Sequence, residues 1–285
     1  MKIGVVDVGG GYRGIYAAGV LDYCMDNDIR FNLGIGVSAG SANLISYAAG
    51  QPRRNYKFYT EYGLRKEYAG AKNFVTKKSF IDLDYAYSTL SNSTGEYPLD
   101  YSAVVDNPME FYVVALNALT GETNYFDKRD IKQDNYDALK ASCAIPFVCK
   151  PIDVCGIPYF DGGLADPVPI KKAFELGCDK VVVLLTRPAD DVAPFVNDVR
   201  IANLINHSYP AAATELRKKA DKYREGVMLA KKYEKEGKAL IVAPEDTCGV
   251  RTLTREKAPL TDLYNLGYGD GKRIYDFVKE NRNVC

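Results

Sequence analysis

Three short stretches hold residue types whose spacing can do chemistry. The first, Gly9-Gly10-Gly11-Tyr12-Arg13-Gly14, places four glycines within six residues. Without side chains, consecutive backbone N–H groups can turn toward one anion, and a helix starting just after them adds positive potential. The second is Gly36-Val37-Ser38-Ala39-Gly40, a G-x-S-x-G pentapeptide. In that pattern a serine sits on a strand-to-helix turn so tight that the positions two before and two after it have no room for side chains. The third is Asp161-Gly162-Gly163, preceded by the apolar run Ile157-Pro158-Tyr159-Phe160. That run keeps water from the carboxylate and raises its proton affinity above the usual aspartate value of about 3.9, which makes it a better base. A hydroxyl nucleophile, a base and a cradle for a developing oxyanion are the parts of an acyl-transfer site.

Two other chemistries fit parts of this set. Gly9, Gly11 and Gly14 also satisfy G-x-G-x-x-G, so a nucleotide pyrophosphate is a rival occupant of the loop. A dinucleotide site wants an acid at the end of the second strand, where this chain has the serine pentapeptide instead. The single histidine, His207, follows Ser38 and Asp161 in the order of a Ser-Asp-His triad. It closes the amphipathic stretch from Val199, where a histidine commonly serves the C-terminal end of a helix. A Ser38–Asp161 dyad is preferred, with the triad and the nucleotide site kept as alternatives.

These motifs need a scaffold that brings strand ends together. Short apolar runs bounded by Gly or Pro predict strands, and apolar residues three and four apart predict helices. Lys2–Val8 reads as a strand, Ile15–Asn27 as a helix, Leu33–Val37 as a strand and Ala39–Ala49 as a small-residue helix. That is a βαβ unit, whose strands are parallel. Residues 52–101 loosen into a polar, tyrosine-rich insertion over the sheet. Phe111–Asn117 and Thr123–Phe126 predict a hairpin, Asn135–Ala144 a helix, and two short strands flank Cys155-Gly156. Pro167–Gly177 predicts a helix, Lys180–Thr186 a buried strand, Phe195–His207 and Pro210–Glu236 two helices, Lys238–Val242 a strand and Gly271–Asn281 a last helix. The expected fold is a three-layer α/β sandwich with a mainly parallel central sheet. Its catalytic core spans residues 3–186, and a helical extension, 187–285, completes the same domain.

Composition narrows the partners. Of 285 residues, 37 are Lys or Arg and 37 are Asp or Glu, so no single-sign field exists to hold nucleic acid by charge. With 47% hydrophobic and 26% charged residues the chain has the proportions of a folded globular protein. The densest apolar run, Val181–Leu185, falls far short of the about 18 residues of a spanning helix. An acid at Asp7 interrupts the N-terminus too early for a signal-peptide core. Seven cysteines without a CxxC pair suit neither a disulfide framework nor a zinc site, and read as reduced thiols of a cytoplasmic protein. No metal or cofactor is implied, and oligomeric state is not written in these motifs. The helix over 210–236 carries more Lys and Arg than acids, which leaves contact with anionic headgroups at a membrane surface open beside the simpler reading of a solvated face.

Taken together, the three motifs resemble the patatin-like phospholipases, in which a G-G-G-x-R-G loop, a G-x-S-x-G serine and the aspartate of a D-G-[GA] motif recur in this order. The flanks are similar too: Ala141-Ser142-Cys143-Ala144-Ile145-Pro146 before the aspartate, and Leu164-Ala165-Asp166-Pro167-Val168-Pro169 after it. The tail from Lys238 is similar to bacterial members. The resemblance implies that Ser38 attacks a fatty-acyl ester or phospholipid, that Asp161 is the sole base, and that backbone N–H groups around Gly9, Gly10, Gly11 and Ala39 form the oxyanion hole. Tyr12, Arg13, Gly14, Gly36, Val37, Gly40, Gly162 and Gly163 support it. Arg13 either contacts a lipid phosphate or braces the loop against a carboxylate, with bracing preferred. The tyrosine-rich insertion is open to lining an acyl groove or to ordinary packing.

Overall fold

Five-residue apolar runs with no polar alternation must be buried on both faces, and the middle of a parallel sheet offers that. The computed structural model describes residues 1–191 and 197–279. Its strands are β1 (Ile3–Asp7), β2 (Leu33–Val37), β3 (Glu110–Asn117), β4 (Thr123–Asp127), β5 (Ile152–Val154), β6 (Ile157–Asp161), β7 (Lys180–Leu184) and β8 (Ala239–Val242). They form one sheet in the order β5-β6-β3-β2-β1-β7-β8, with β4 paired to β3. The block β3-β2-β1-β7-β8 is parallel, while β4 and β6 run antiparallel to β3 and β5 antiparallel to β6.

Alternate residues of the central strands feed two separate cores, as the two-residue period of a strand requires. Val5, Val182 and Leu184 pack with Ile15, Leu21 and Leu44 on one face. Val6, Val181 and Val183 pack with Leu216, Val227 and Ala230 of the long helix Pro210–Lys235 on the other. Helices on both faces of a central sheet make the expected three-layer α/β fold.

One edge of β3 positions the chemistry. Its residues Glu110 to Val114 pair with β2, the last pair being Val37 with Val114. The next residue, Ala115, pairs with Asp161 of β6. The other edge of Ala115 and Leu116 is taken by β4, so β6 enters on the side that β2 has just left. The C-terminal ends of β2 and β6 therefore meet head to head, and the residues beginning their following turns become neighbours.

The insertion is more ordered than its composition suggests. It folds into the helices Arg54–Thr60 and Ala71–Lys77, a 3-10 turn Tyr62–Leu64 and a π-helical turn Tyr85–Leu90 before the helix Tyr101–Asp106. Of the expected helix from Phe195, the described part runs Asp198–Ile205, with Phe195 itself outside the described residues. The last helix starts as expected, Lys272–Lys279, but the helix Lys257–Asp270 ahead of it was not expected. Pro259, Gly267 and Gly269 disguise it, since they weaken an isolated helix. In the fold two glycines are what lets it lie on the helix Ile15–Asp26, because a Cβ on Gly19 would meet the carbonyl of Tyr264 and one on Gly267 that of Tyr16. Hydroxyl–carboxylate bonds join the pair: Tyr16 to Asp270 at 2.6 Å and Tyr264 to Asp22 at 2.7 Å. Among the described residues no helix is long and apolar enough to cross a membrane.

Candidate active site

The glycine loop leaves β1 with three successive positive φ angles, 66° at Gly9, 120° at Gly10 and 62° at Gly11, a path that side chains would oppose. Asp7, at the end of β1, holds it from beneath. One Asp7 oxygen accepts the Gly9 N–H at 2.9 Å and the other accepts the Asn43 amide at 2.9 Å, while Asn43 also donates to the Gly14 carbonyl at 2.9 Å. Burial pushes the Asp7 carboxyl up to about 6, against the pull of its Asn43 and Gly9 bonds. From above, the Thr186 hydroxyl donates to the Gly9 carbonyl, and the Tyr12 N–H donates to the carbonyl of Thr252 at 3.1 Å.

This accounting corrects one expectation. The Gly9 N–H, expected in the oxyanion hole, is spent on Asp7. Gly10, Gly11 and Ala39 give their N–H groups to no backbone acceptor among the described residues. Arg13 departs from the preferred reading as well. It forms no ion pair among the described residues. Its side chain lies beside Gly10 and lines the cleft, with its charged form disfavoured first by burial and then by Arg187.

The serine turn is strained as its motif requires, with Ser38 at φ 54° and ψ −130° immediately before the helix Ala39–Ala48. Such a conformation costs a non-glycine residue on the order of 1–3 kcal/mol and persists only when surroundings enforce it. Those surroundings are visible. The Ser38 N–H donates to the Ser142 hydroxyl at 2.9 Å, and the Ser41 hydroxyl donates to the Ser38 carbonyl at 2.6 Å. Gly36 packs on the backbone of Ser41, and Gly40 on Asp7.

Asp161 ends β6 beside this turn. The Ser38 Oγ donates to Asp161 Oδ2 at 2.6 Å with no third group between them, and the other carboxylate oxygen accepts the Gly163 N–H at 2.7 Å. The Asp161 N–H is tied to the Ala144 carbonyl at 3.0 Å. The segment from Ala141 to Ala144 thus braces both partners, Ser38 through Ser142 and Asp161 through Ala144. Gly162 presses on the carbonyl of Val114, so the turn after β6 tolerates no side chain. Burial raises the pKa of Asp161, while the bonds from Ser38 and Gly163 and the charge of Lys219 hold part of that rise back.

Ser38 and Asp161 open on a cleft of about 310 Å³, walled by Gly10, Arg13, Thr186, Lys219 and Leu253. Ser38 also faces a narrower apolar pocket of about 60 Å³ bounded by Tyr68, Leu83 and Cys143. That pocket shares Ala42, Asn55, Phe58, Ala86 and Tyr87 with a further one of about 50 Å³ lined by Arg54, Leu99, Tyr136 and Leu139. Both are mainly apolar, and residues 54–99 of the tyrosine-rich insertion line much of each. Burial pushes the thiol of Cys143, in the wall of the pocket at Ser38, up to about 12, which disfavours the thiolate.

His207 is exposed beyond the end of the helix Asp198–Ile205 and is absent from the cleft walls. No group of three or more metal-ligating side chains occurs among the described residues. Sequence reasoning missed Asp7, Asn43, Ser142, Thr186, Lys219 and Thr252. Ser142 lay within a flank already noted, but the others carry no local signal.

Comparison with known proteins bears on the whole arrangement. The model of the patatin-like phospholipases matches residues 8–174, and that of a domain of unknown function, DUF6363, matches residues 209–281. The uncharacterized protein YjjU of Escherichia coli (strain K12) is 34% identical over 190 residues, which are 66% of this chain and 53% of that protein. A lysophospholipase nte1 of Aspergillus niger is 24% identical over 300 residues, 99% of this chain and 18% of that protein. The chain thus spans about half the length of the first and under a fifth of the second. The crystal structure of VipD from Legionella pneumophila superposes with a TM-score of 0.49 at 14% identity, covering 96% of this chain and 67% of that one. Since the matched span holds the glycine loop, the serine turn and the Asp161 turn, and takes in more than half of the sequence, the chain belongs to the patatin-like phospholipase family.

Proposed function

We propose that the protein is a serine lipid acyl hydrolase working through a Ser38–Asp161 dyad, and that residues 187–285 complete the same folding unit. The observation that carries this is the direct 2.6 Å bond from the Ser38 hydroxyl to a buried Asp161 carboxylate at the floor of an open cleft. As Ser38 Oγ attacks the carbonyl carbon of an ester, its proton passes to Asp161 Oδ2. The negative charge that develops on the carbonyl oxygen is met by the N–H groups of Gly10, Gly11 and Ala39. Oriented donors of this kind contribute about 3 kcal/mol each to the transition state. Collapse of the tetrahedral intermediate expels the alcohol or lysolipid, which takes the proton from Asp161 and leaves an acyl-serine. Water then gives a proton to the same carboxylate, attacks the acyl carbon and releases the fatty acid, and the proton returns to Ser38.

Desolvation of Asp161 favours this role, because a carboxylate of raised pKa holds the serine proton better. The mainly apolar pockets beside Ser38 that share Ala42, Phe58 and Ala86 suit a single acyl chain, and the wider cleft beside Arg13 suits the leaving alcohol or phosphate-bearing headgroup. Six unpaired cysteines among the described residues favour a reducing, cytoplasmic setting. No cofactor enters the scheme. The test is a fluorophosphonate probe followed by a chain-length series of p-nitrophenyl esters. Labelling of Ser38 and turnover of acyl esters are expected, and labelling of a different serine would overturn the assignment.

A further inference from the structure

Apolar side chains crowd one exposed corner beside the cleft. Phe74 is 48% exposed, Val75 81% and Phe147 57%. The rings of Phe74 and Phe147 lie 6.5 Å apart, although the residues come from different segments. Phe147 sits at φ 71°, a backbone conformation that a bulky residue rarely accepts. Its chain neighbours Ile145 and Val148 wall the cleft at Ser38. The Phe80 N–H donates to the Val148 carbonyl at 2.7 Å and stitches the two segments together.

Lysines frame the apolar corner. Lys66, Lys72, Lys77, Lys78 and Lys150 are all exposed, and the neighbouring acids are Glu67, Asp82, Asp84 and Asp153, of which Asp82 is held by Lys77 and Asp84 by Lys140. Exposed aromatic and aliphatic side chains ringed by lysine are the pattern that enters the headgroup layer of an anionic bilayer. The long helix Pro210–Lys235 is a poorer match. Its apolar stripe, Leu216, Tyr223, Val227 and Ala230, is buried in the core, and Lys219, Lys222 and Lys231 pair with Asp198, Glu215 and Asp190.

We infer that the face carrying Phe74, Val75 and Phe147 docks the protein onto a bilayer rich in anionic phospholipid, with the mouth of the Ser38 cleft turned to that surface. The proposal deepens the acyl-hydrolase reading and rests on it for purpose, but not for its test. The chain has no tryptophan, so Phe74→Trp provides a single reporter in this face and Met228→Trp one on the long helix. On vesicles of phosphatidylcholine with phosphatidylglycerol, Phe74→Trp should show a blue-shifted emission and Met228→Trp should not. The reverse pattern, or no shift in either, overturns the proposal.

Phe74→Ser/Val75→Ser, and separately Lys72→Glu/Lys78→Glu, should lower vesicle co-sedimentation at least tenfold while hydrolysis of a soluble short-chain ester stays within twofold. Unchanged co-sedimentation in both variants overturns it. Self-association in the absence of lipid that Phe74→Ser/Val75→Ser abolishes would assign the face to a second copy and overturn it too. A blue shift from a protein inactive on every ester supports the docking face and sinks the hydrolase reading instead, so the two failures are distinguishable.

Discussion

Gly9 lies against the carbonyl oxygen of Val37 with no room between them for a side chain: a Cβ added to Gly9 would come under 3.0 Å from that oxygen. On the other side of the same contact a Cβ on Gly40 would run into the backbone of Asp7 at the same closeness. The loop after β1 and the turn after β2 are thus interlocked, each missing side chain giving space to the other's backbone. The glycines of two separate motifs serve one junction.

Gly9→Ala or Gly40→Ala should therefore destabilise the fold by about 2 kcal/mol or more, since the clashing atoms are backbone. Gly269→Ala is the contrast: its added Cβ meets nothing within 4 Å and it lies in a helix. That change should be neutral or stabilising by up to about 1 kcal/mol. Urea midpoints of the three variants check the ordering.

Ser38→Ala should abolish ester hydrolysis and probe labelling while leaving the fold intact. Ser38→Gly should be equally inactive yet more stable than Ser38→Ala by about 1 kcal/mol, because glycine accepts a φ of 54° without strain. Equal stability of the two would mean that the turn stores no strain at Ser38.

Asp161→Asn keeps the acceptor for the Gly163 N–H but removes the base, so activity should fall by several orders of magnitude. The wild-type rate should rise with pH along a limb above the ordinary carboxylate value of 3.8, in the direction burial moves Asp161. Stability runs the other way. A carboxyl whose pKa is raised by folding contributes most when protonated, below 3.8, and that contribution is lost as pH rises through the folded value. Asp161→Asn should therefore equal or exceed wild type in urea stability at pH 7, with the gain disappearing near pH 4.

His207→Asn should leave ester hydrolysis within a few-fold of wild type. A triad would instead lose its general base and several orders of magnitude in rate. The two outcomes do not overlap, and kcat/KM on one soluble ester decides between them.

Ala86 lines both pockets proposed to take the acyl chain, so Ala86→Leu should narrow them. Hydrolysis of long-chain p-nitrophenyl esters should drop at least tenfold, while acetate and butyrate esters stay within a few-fold. A uniform loss across chain lengths would show that the acyl chain takes another route.

The chain by itself determined the parts of the site that are local in origin. Gly36, Ser38 and Gly40 define a turn because five residues suffice to make it, and the βαβ order of β1 and β2 follows from apolar runs and helical spacing that any reader of the sequence can find. Asp161 was legible through its own flanks. What no local pattern holds is the partner across space. Asp161 reaches Ser38 over 123 positions only because β6 takes the edge of β3 that β2 vacates at Val114. Asp7 was legible as an acid within the first strand but not as the acceptor that claims the Gly9 N–H, and Thr252 supports Tyr12 from more than two hundred residues away. The helix Lys257–Asp270 was hidden for the same reason, because its glycines argue against a helix until the backbone of Tyr16 is seen lying against Gly267. Propensity and spacing act within a few residues, whereas close approach and hydrogen-bond partnership are settled where distant segments pack, and half of this site is built there.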